Sequence, residues 1–173
     1  MREVADAGRI GRFMVELGRR VRTPARVYFT GGTSAVLLGW RGSTIDVDVK
    51  FVPDSDEIFR AIPELKESLR LNVELASPDL FLPELPGWRE RSPFIRREGS
   101  VEFLHYDFYA QALAKIERGH RKDADDVRMM IESGLVEKRE LVRLFETIEP
   151  RLHRFPAIDP PTLRRAVLAV AGA

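Results

Sequence analysis

The sequence predicts an α/β (α+β) fold, in which a small mixed β-sheet is followed by a group of helices. Residues 44–51 and 71–76 alternate apolar and polar side chains, as a strand with one buried face does. Residues 108–118, 123–133 and 137–148 show helical periodicity one after another. Strands gathered in one part of a chain and helices in another are typical of α+β domains.

Length and composition limit the classes of protein to consider. The 173 residues suffice for one domain with its own core. We therefore expect a single domain over 1–173, with a sheet-containing core at about 26–110 and a helical part at about 108–173. The net charge of +1 excludes binding of nucleic acid by overall positive charge alone. The lack of cysteine excludes disulfides, thiolate metal sites and thiol nucleophiles. No apolar run is long enough to cross a bilayer, so we expect a soluble, cytoplasmic protein.

The N-terminal elements follow from periodicity and from two glycines. Residues 2–21 predict an amphipathic helix with an apolar stripe made of Val4, Ile10, Phe13, Met14, Leu17 and Val21. Arg26–Phe29 predicts a short strand, which Gly31 and Gly32 are expected to break. Thr33–Leu38 then predicts a short buried helix.

The middle of the chain predicts further strands and one capped helix. The first alternating segment has an apolar face made of Ile45, Val47, Val49 and Phe51. Ser55 is expected to cap the next helix, and Pro63 to kink or divide it. The second alternating segment has an apolar face made of Leu71, Val73 and Leu75.

The remaining segments complete the expected order of elements. Residues 77–92 are rich in proline and predict a surface loop, in which Trp88 suits a gap in the core better than a nucleotide base. A hairpin over 94–106 is predicted to turn at residues 98–100, and a terminal helix is predicted over 162–171.

Asp46-Val47-Asp48 is the strongest chemical signal. Period-two geometry directs both carboxylates to the same face of the strand, with Cα atoms about 6.5–7 Å apart. Like charges so close repel each other unless a cation lies between them, and a hard divalent cation bound by oxygen ligands would supply that charge. The alternative is a solvated strand face with ordinary acids.

Two neighbouring features strengthen this interpretation. Gly31-Gly32-Thr33-Ser34 lies between a predicted strand and a predicted helix, where glycines let a ligand approach the backbone and amides favour phosphate. Glu74 lies on the polar side of the second alternating segment and would join Asp46 and Asp48 if the two strands are neighbours in phase. Three acids around two Mg²⁺ ions would suit in-line nucleotidyl transfer. A plain glycine turn and an edge-strand acid are the alternatives.

These residues resemble the signature of the nucleotidyltransferase superfamily that includes DNA polymerase β. Its members carry a glycine pair after the first strand, a short helix, and then a strand with an acid-x-acid motif. The chain is more narrowly similar to minimal bacterial and archaeal members, including abortive-infection (AbiEii-like) toxins of toxin–antitoxin pairs. In those members a later lysine is followed by a Lys-Asp-x-x-Asp element, to which Lys115 and residues 122–126 correspond. The resemblance covers residues 26–132.

The resemblance implies a nucleotidyltransferase-like sheet, a nucleotide site and a Mg²⁺ site. Asp46 and Asp48 would bind the metal, and Gly31, Gly32, Thr33 and Ser34 would hold the nucleotide phosphates, with Thr33 or Ser34 contacting one directly. These residues are catalytic or nucleotide-binding by resemblance only.

Other positions receive roles from the same resemblance. Arg41 precedes the acidic motif where relatives place a basic residue near the nucleotide. Lys115 would neutralise the triphosphate, and Asp123 or Asp126 would orient that lysine or Arg118. Asp123 also suits a helix N-cap, which would explain it without any function.

Several functions stay open at this point. The acceptor of the transferred nucleotide could be the 3′ end of a tRNA, a protein hydroxyl or a small molecule. An antitoxin protein could be a partner. A catalytically degenerate module that binds nucleotide or a partner is the non-enzyme alternative. A phosphatase with an Asp-x-Asp motif is a further one, although its strand would be a longer apolar run ending in a Gly-Thr turn.

Overall fold

The computed structural model describes residues 3–172, which form two compact units. The first unit comprises the chain up to Ser77 together with Ser92–Tyr106. The second unit comprises Pro78–Arg91 and the chain from Asp107 onward. The expectation of one domain over 1–173 remains a prediction, and each unit is described by itself.

The first unit contains a five-stranded mixed sheet and three helices, and the α/β expectation is confirmed. Its elements are α1 (Ala7–Arg20), β1 (Ala25–Phe29), α2 (Gly31–Leu37), β2 (Asp46–Val52), α3 (Asp56–Ser68), β3 (Asn72–Leu75), β4 (Phe94–Glu98) and β5 (Val101–His105). The strand order is β3-β2-β1-β5-β4. The β1–β5 and β2–β3 pairs are parallel, whereas the β1–β2 and β4–β5 pairs are antiparallel. Strand β1 is therefore the central strand, with β2 on one side and β5 on the other.

Helix α1 begins later than the predicted start at residue 2, which lies outside the described residues. The Asp6 side chain accepts a hydrogen bond from the Arg9 amide at 2.8 Å and caps the helix. The helix buries Ile10, Phe13, Met14 and Leu17. Val4 was predicted on the same stripe, but it precedes the helix and is 53% exposed.

The apolar face of the sheet forms the core of this unit. Val47, Val49 and Phe51 are buried as predicted, because alternate residues of β2 face the same side. Ile45 was expected to join them, but it lies before the strand begins and is 74% exposed. Leu75 was also assigned to an apolar face, yet at the end of β3 it is 56% exposed.

Helix α3 has the predicted cap but does not break at its proline. The Ser55 side chain accepts from the Ile58 amide, as expected for an N-cap. The helix continues through Pro63 to Ser68, so the predicted division is wrong. The hairpin predicted over 94–106 is confirmed, with β4 and β5 joined at Gly99 and Ser100.

The second unit is helical and includes a segment that was expected to be a surface loop. Its elements are a 3-10 helix (Pro78–Leu80), α4 (Trp88–Arg91), α5 (Phe108–Arg118), α6 (Arg121–Glu132), α7 (Lys138–Ile148), a second 3-10 helix (Glu149–Arg154) and α8 (Pro160–Ala171). The loop prediction for 77–92 is wrong because Leu82, Leu85 and Trp88 are buried. These three apolar residues recur at every third position, but the prolines among them favoured the interpretation as a loop.

Within residues 3–172, no helix has the length and apolar character needed to span a membrane.

Candidate active site

Asp46 and Asp48 project from the same face of β2. They alternate with the fully buried Val47 and Val49, which places the two carboxylates on the face opposite the core. Both aspartates are half-buried, so ligands and water can approach them. The prediction that these two acids share one strand face is therefore confirmed, whereas metal binding by them stays a prediction.

The glycine pair lies directly beside Asp48. Gly31 has φ +58°, and a Cβ at this position would lie 2.9 Å from Asp48 Oδ2. A Cβ on Gly32 would lie 2.4 Å from Thr44 Oγ1 and 3.4 Å from an Arg41 guanidinium nitrogen. Only glycine lets the backbone approach its neighbours this closely. The strand ends before the two glycines, as predicted, but the helix expected to begin at Thr33 already includes them as its first two residues.

Thr33 and Ser34 are fully buried, and their hydroxyls bond within the fold. The Thr33 hydroxyl accepts from the Asp48 amide at 3.1 Å and donates to the Asp46 carbonyl at 3.4 Å. The Ser34 hydroxyl donates to the Phe29 carbonyl at 3.1 Å. The direct phosphate contact assigned to one of these side chains remains a prediction.

His105 is a buried neighbour of the glycine segment that no sequence signal indicated. Its Nδ1 lies 2.9 Å from the Ser34 hydroxyl. The imidazole and the hydroxyl thus form a buried hydrogen bond beside the glycine segment. Burial lowers the pKa of His105 to about 4, so the ring is neutral at physiological pH.

The third carboxylate lies on the neighbouring strand in the predicted phase. In the parallel β2–β3 pair, Asp48 is opposite Glu74 and Asp46 is opposite Asn72. The Asn72 amide nitrogen donates to Asp46 Oδ1 and to Glu74 Oε1, both at 2.6 Å. Asn72 thus links two of the acids, and its even spacing from Glu74 on an alternating strand was the available sequence signal.

The donors on this strand face suit a hard cation. Carboxylate oxygens are the protein ligands that Mg²⁺ prefers, and this ion usually retains several waters, for which a half-exposed face leaves access. Among residues 3–172, no three His, Cys, Asp or Glu side chains are grouped closely enough to hold a metal. The arrangement therefore fits a cation held by Asp46 and Asp48, while Glu74, opposite Asp48 on β3, does not form with them the predicted three-acid metal group.

The second unit contains a separate cluster of charged residues around Lys115. This lysine is buried on α5, with its amine 2.6 Å from Asp126 Oδ2 and 3.6 Å from Asp123 Oδ1. Arg118 donates to the same Asp123 through Nε at 2.8 Å and through a terminal nitrogen. The acid–base contacts that the resemblance implied among these four residues are thus present.

Asp123 has a local structural role in addition. Helix α6 begins at Arg121, so Asp123 is its third residue and not the expected N-cap. Its carboxylate still accepts from the His120 amide at 3.3 Å, which helps to close the first turn. Burial acts to raise the pKa of Asp123, but the Arg118 hydrogen bond and the charges of Lys115 and Arg118 together lower it below its usual value.

Comparison with known proteins identifies one family. No curated protein and no solved structure matches the chain. The family described as "nucleotidyltransferase of unknown function (DUF6036)" matches residues 12–153, which include the glycine pair, the acidic strand and the Lys115 cluster. The match covers most of the chain, and the chain therefore belongs to this nucleotidyltransferase family.

Proposed function

We propose that the protein is a Mg²⁺-dependent nucleotidyltransferase that transfers a nucleoside monophosphate from a nucleoside triphosphate to an acceptor hydroxyl. One observation carries the proposal. Gly31 brings side-chain-free backbone against the Asp48 carboxylate, on the strand face that also presents Asp46. A polyphosphate beside two carboxylates would be repelled unless a cation lay between them, and this donor set suits such a cation.

Different residues of the first unit would bind the metal and the phosphates. Asp46 and Asp48 would hold Mg²⁺, which when bound neutralises phosphate charge and orients the reacting groups. Gly31 and Gly32 leave room for the phosphates to approach the backbone. The Arg41 guanidinium beside Gly32 would add positive charge for the phosphates.

The transfer itself is a substitution at the α-phosphorus. The acceptor oxygen forms a new bond to that phosphorus, the bond to the bridging oxygen of the β-phosphate breaks, and pyrophosphate leaves. The acceptor hydroxyl must lose its proton, and the exposed carboxylate of Glu74 would accept it. In this role Glu74 need not bind the metal, which is consistent with its hydrogen bond to Asn72.

The role of Lys115 in neutralising the triphosphate remains a proposal of its own. It rests on the resemblance to minimal nucleotidyltransferases, and the Asp126 contact holds the amine in place. The acceptor class is likewise proposed: a tRNA 3′ end, a protein hydroxyl or a small molecule. Toxicity and an antitoxin partner are further proposals, which rest on the resemblance to toxin-type relatives.

The test is transfer of label from α-³²P nucleoside triphosphates to each acceptor class, with Mg²⁺ present. Asp46→Asn and Asp48→Asn should each lower transfer by roughly 10²-fold or more, since a lost charge at this site removes transition-state stabilisation. Asp54→Asn is the matched control, because Asp54 is exposed just beyond β2 and makes the same change in charge.

Three results would contradict the proposal. Undiminished transfer in either acidic variant would refute the assignment of the acids. Nucleotide binding without transfer to any acceptor would favour the degenerate binding module. Metal-dependent release of phosphate from a monoester, without any need for a triphosphate, would favour the phosphatase.

A further inference from the structure

We propose that Thr33 is a positioning residue that holds Asp46–Asp48 extended, so that both carboxylates stay on one strand face and that of Asp48 lies against Gly31. The inference rests on the proposed function and extends it to a side chain that is fully buried. In this role Thr33 acts through the aspartates and not through a contact with substrate.

The need for such a residue arises where β1 ends. The last residue pair of the β1–β2 ladder is Phe29 with Val49, and the Thr30 amide then donates to the Asp48 carbonyl at 3.1 Å. Beyond that bond the chain turns into α2, while β2 extends back to Asp46. The part of β2 that carries the two acids thus lies past the end of β1, although its other edge still pairs with β3.

The Thr33 side chain takes the place of the missing strand residue. One hydroxyl accepts from the Asp48 amide at 3.1 Å and donates to the Asp46 carbonyl at 3.4 Å. A hydroxyl can both donate and accept, so a single oxygen can serve two backbone groups of an extended strand. The shorter contact, to the Asp48 amide, carries most of the argument, because the Asp46 carbonyl also accepts from Thr44 Oγ1 at 3.1 Å.

The choice of side chain supports the same conclusion. Val has nearly the shape of Thr and would suit a fully buried position, but it would withdraw the acceptor from the Asp48 amide. The chain instead has Thr two residues after Gly31, whose close approach to Asp48 requires that carboxylate to be well placed. Thr33 and Gly31 thus fix the backbone and the side chain of one aspartate from the same helix.

The test compares Thr33→Val, which removes the hydroxyl, with Thr33→Ser, which retains it. Two properties are measured in the full chain without nucleotide: Mn²⁺ affinity by electron paramagnetic resonance, and exchange of the Asp48 amide by NMR. Thr33→Val should weaken Mn²⁺ binding about 10-fold, as is usual for residues that orient metal ligands. It should also speed Asp48 exchange on the order of 10-fold, because the amide loses a hydrogen bond.

Thr33→Ser should restore both properties most of the way to wild type. Thr23→Val is the matched control, since Thr23 is exposed in the same unit and should change neither property. Thermal unfolding of every variant separates a local effect from a general loss of stability.

Each other outcome overturns the inference. Wild-type Mn²⁺ affinity in Thr33→Val would show that the hydroxyl does not position the acids. If neither Thr33→Val nor Thr33→Ala folds, the hydroxyl is required for folding in general and not for positioning the acids. If wild-type protein neither binds Mn²⁺ nor transfers a nucleotide, the proposed function fails. In that case, faster exchange of the Asp48 amide in Thr33→Val would show that the Thr33 hydrogen bond has a structural role only.

Discussion

Replacing Gly31 with alanine tests the contact between the glycine pair and the acidic strand. Two effects follow from the structure. At φ +58° an L-residue costs about 1–2 kcal/mol of stability. The new Cβ would also lie 2.9 Å from Asp48 Oδ2, whereas ordinary contacts begin at 3.4 Å, so the carboxylate must move by about 0.5 Å.

The two effects have different magnitudes and different readouts. The backbone cost should lower the unfolding midpoint by roughly 2–8 °C in a chain of this size. Moving the end of a side chain costs little stability, but a displacement of this order should lower transfer about 10-fold to 10²-fold. Mn²⁺ affinity should fall as well, because Asp48 is one of the two proposed ligands.

Gly39→Ala is the matched control. Gly39 has φ +78°, and a Cβ there would meet nothing within 4 Å. It should therefore lose similar stability but retain transfer and Mn²⁺ affinity. Labelled transfer, metal titration and thermal unfolding would be measured on both variants. Equal loss of transfer in the two variants, or none in Gly31→Ala, would refute the link between this contact and catalysis.

Three further predictions concern buried charged or titratable groups. Lys115→Met should destabilise the protein by about 3–5 kcal/mol in urea unfolding, because it leaves the Asp126 carboxylate buried without its amine. Arg91→Met should act similarly on Asp107, whose pKa burial already raises against the opposing effect of Arg91, and the loss should grow as pH rises. His105 has a pKa lowered from 6.5 to about 4, so the unfolded chain alone gains a proton between these values. The free energy of unfolding should therefore decrease by up to about 3 kcal/mol as the pH is lowered through this window. His105→Asn should remove that part of the decrease.

A specific result would contradict each of these three predictions. The double variant Lys115→Met/Asp126→Leu should have a larger free energy of unfolding than Lys115→Met alone. Equal stability of the two variants would show that the unpaired Asp126 carboxylate is not the cause of the destabilisation. For Arg91→Met, a loss of stability that does not depend on pH would show that packing, and not the Asp107 charge, is responsible. For His105, identical pH profiles of wild type and His105→Asn between pH 6.5 and 4 would contradict the burial effect.

The acidic strand could be predicted from the sequence because its signal is local. Alternation with a period of two fixes which side chains of one strand share a face, so the sequence alone predicts Asp46 and Asp48 together, whereas Glu74 joins them only if the two strands pair in phase. The order of the strands could not be obtained in this way, since pairing depends on contacts between distant parts of the chain. The same limit explains why Thr33 and His105 were not assigned their partners.

The errors have physical causes that concern particular residues. Ile45 and Leu75 continue an apolar alternation beyond the ends of their strands, where the side chains are exposed. Pro63 lies in a helix that is stabilised elsewhere along its length, including the Ser55 cap, and does not end it. The segment 77–92 was interpreted from its prolines, although Leu82 and Trp88 are buried.

The second unit is assembled from two stretches of chain that are distant in sequence. Pro78–Arg91 belongs to it, yet the polypeptide returns to the sheet for the hairpin before Asp107 begins the main helical stretch. Within this unit Arg91 pairs with Asp107, and Arg151 donates to the Glu84 carbonyl at 3.1 Å. No single cut in the polypeptide can therefore release either unit intact. During translation Pro78–Arg91 is synthesised before the helices against which it packs. The first unit has all of its residues once Tyr106 is made, whereas the second unit can complete its packing only after the helical stretch that begins at Asp107 has followed.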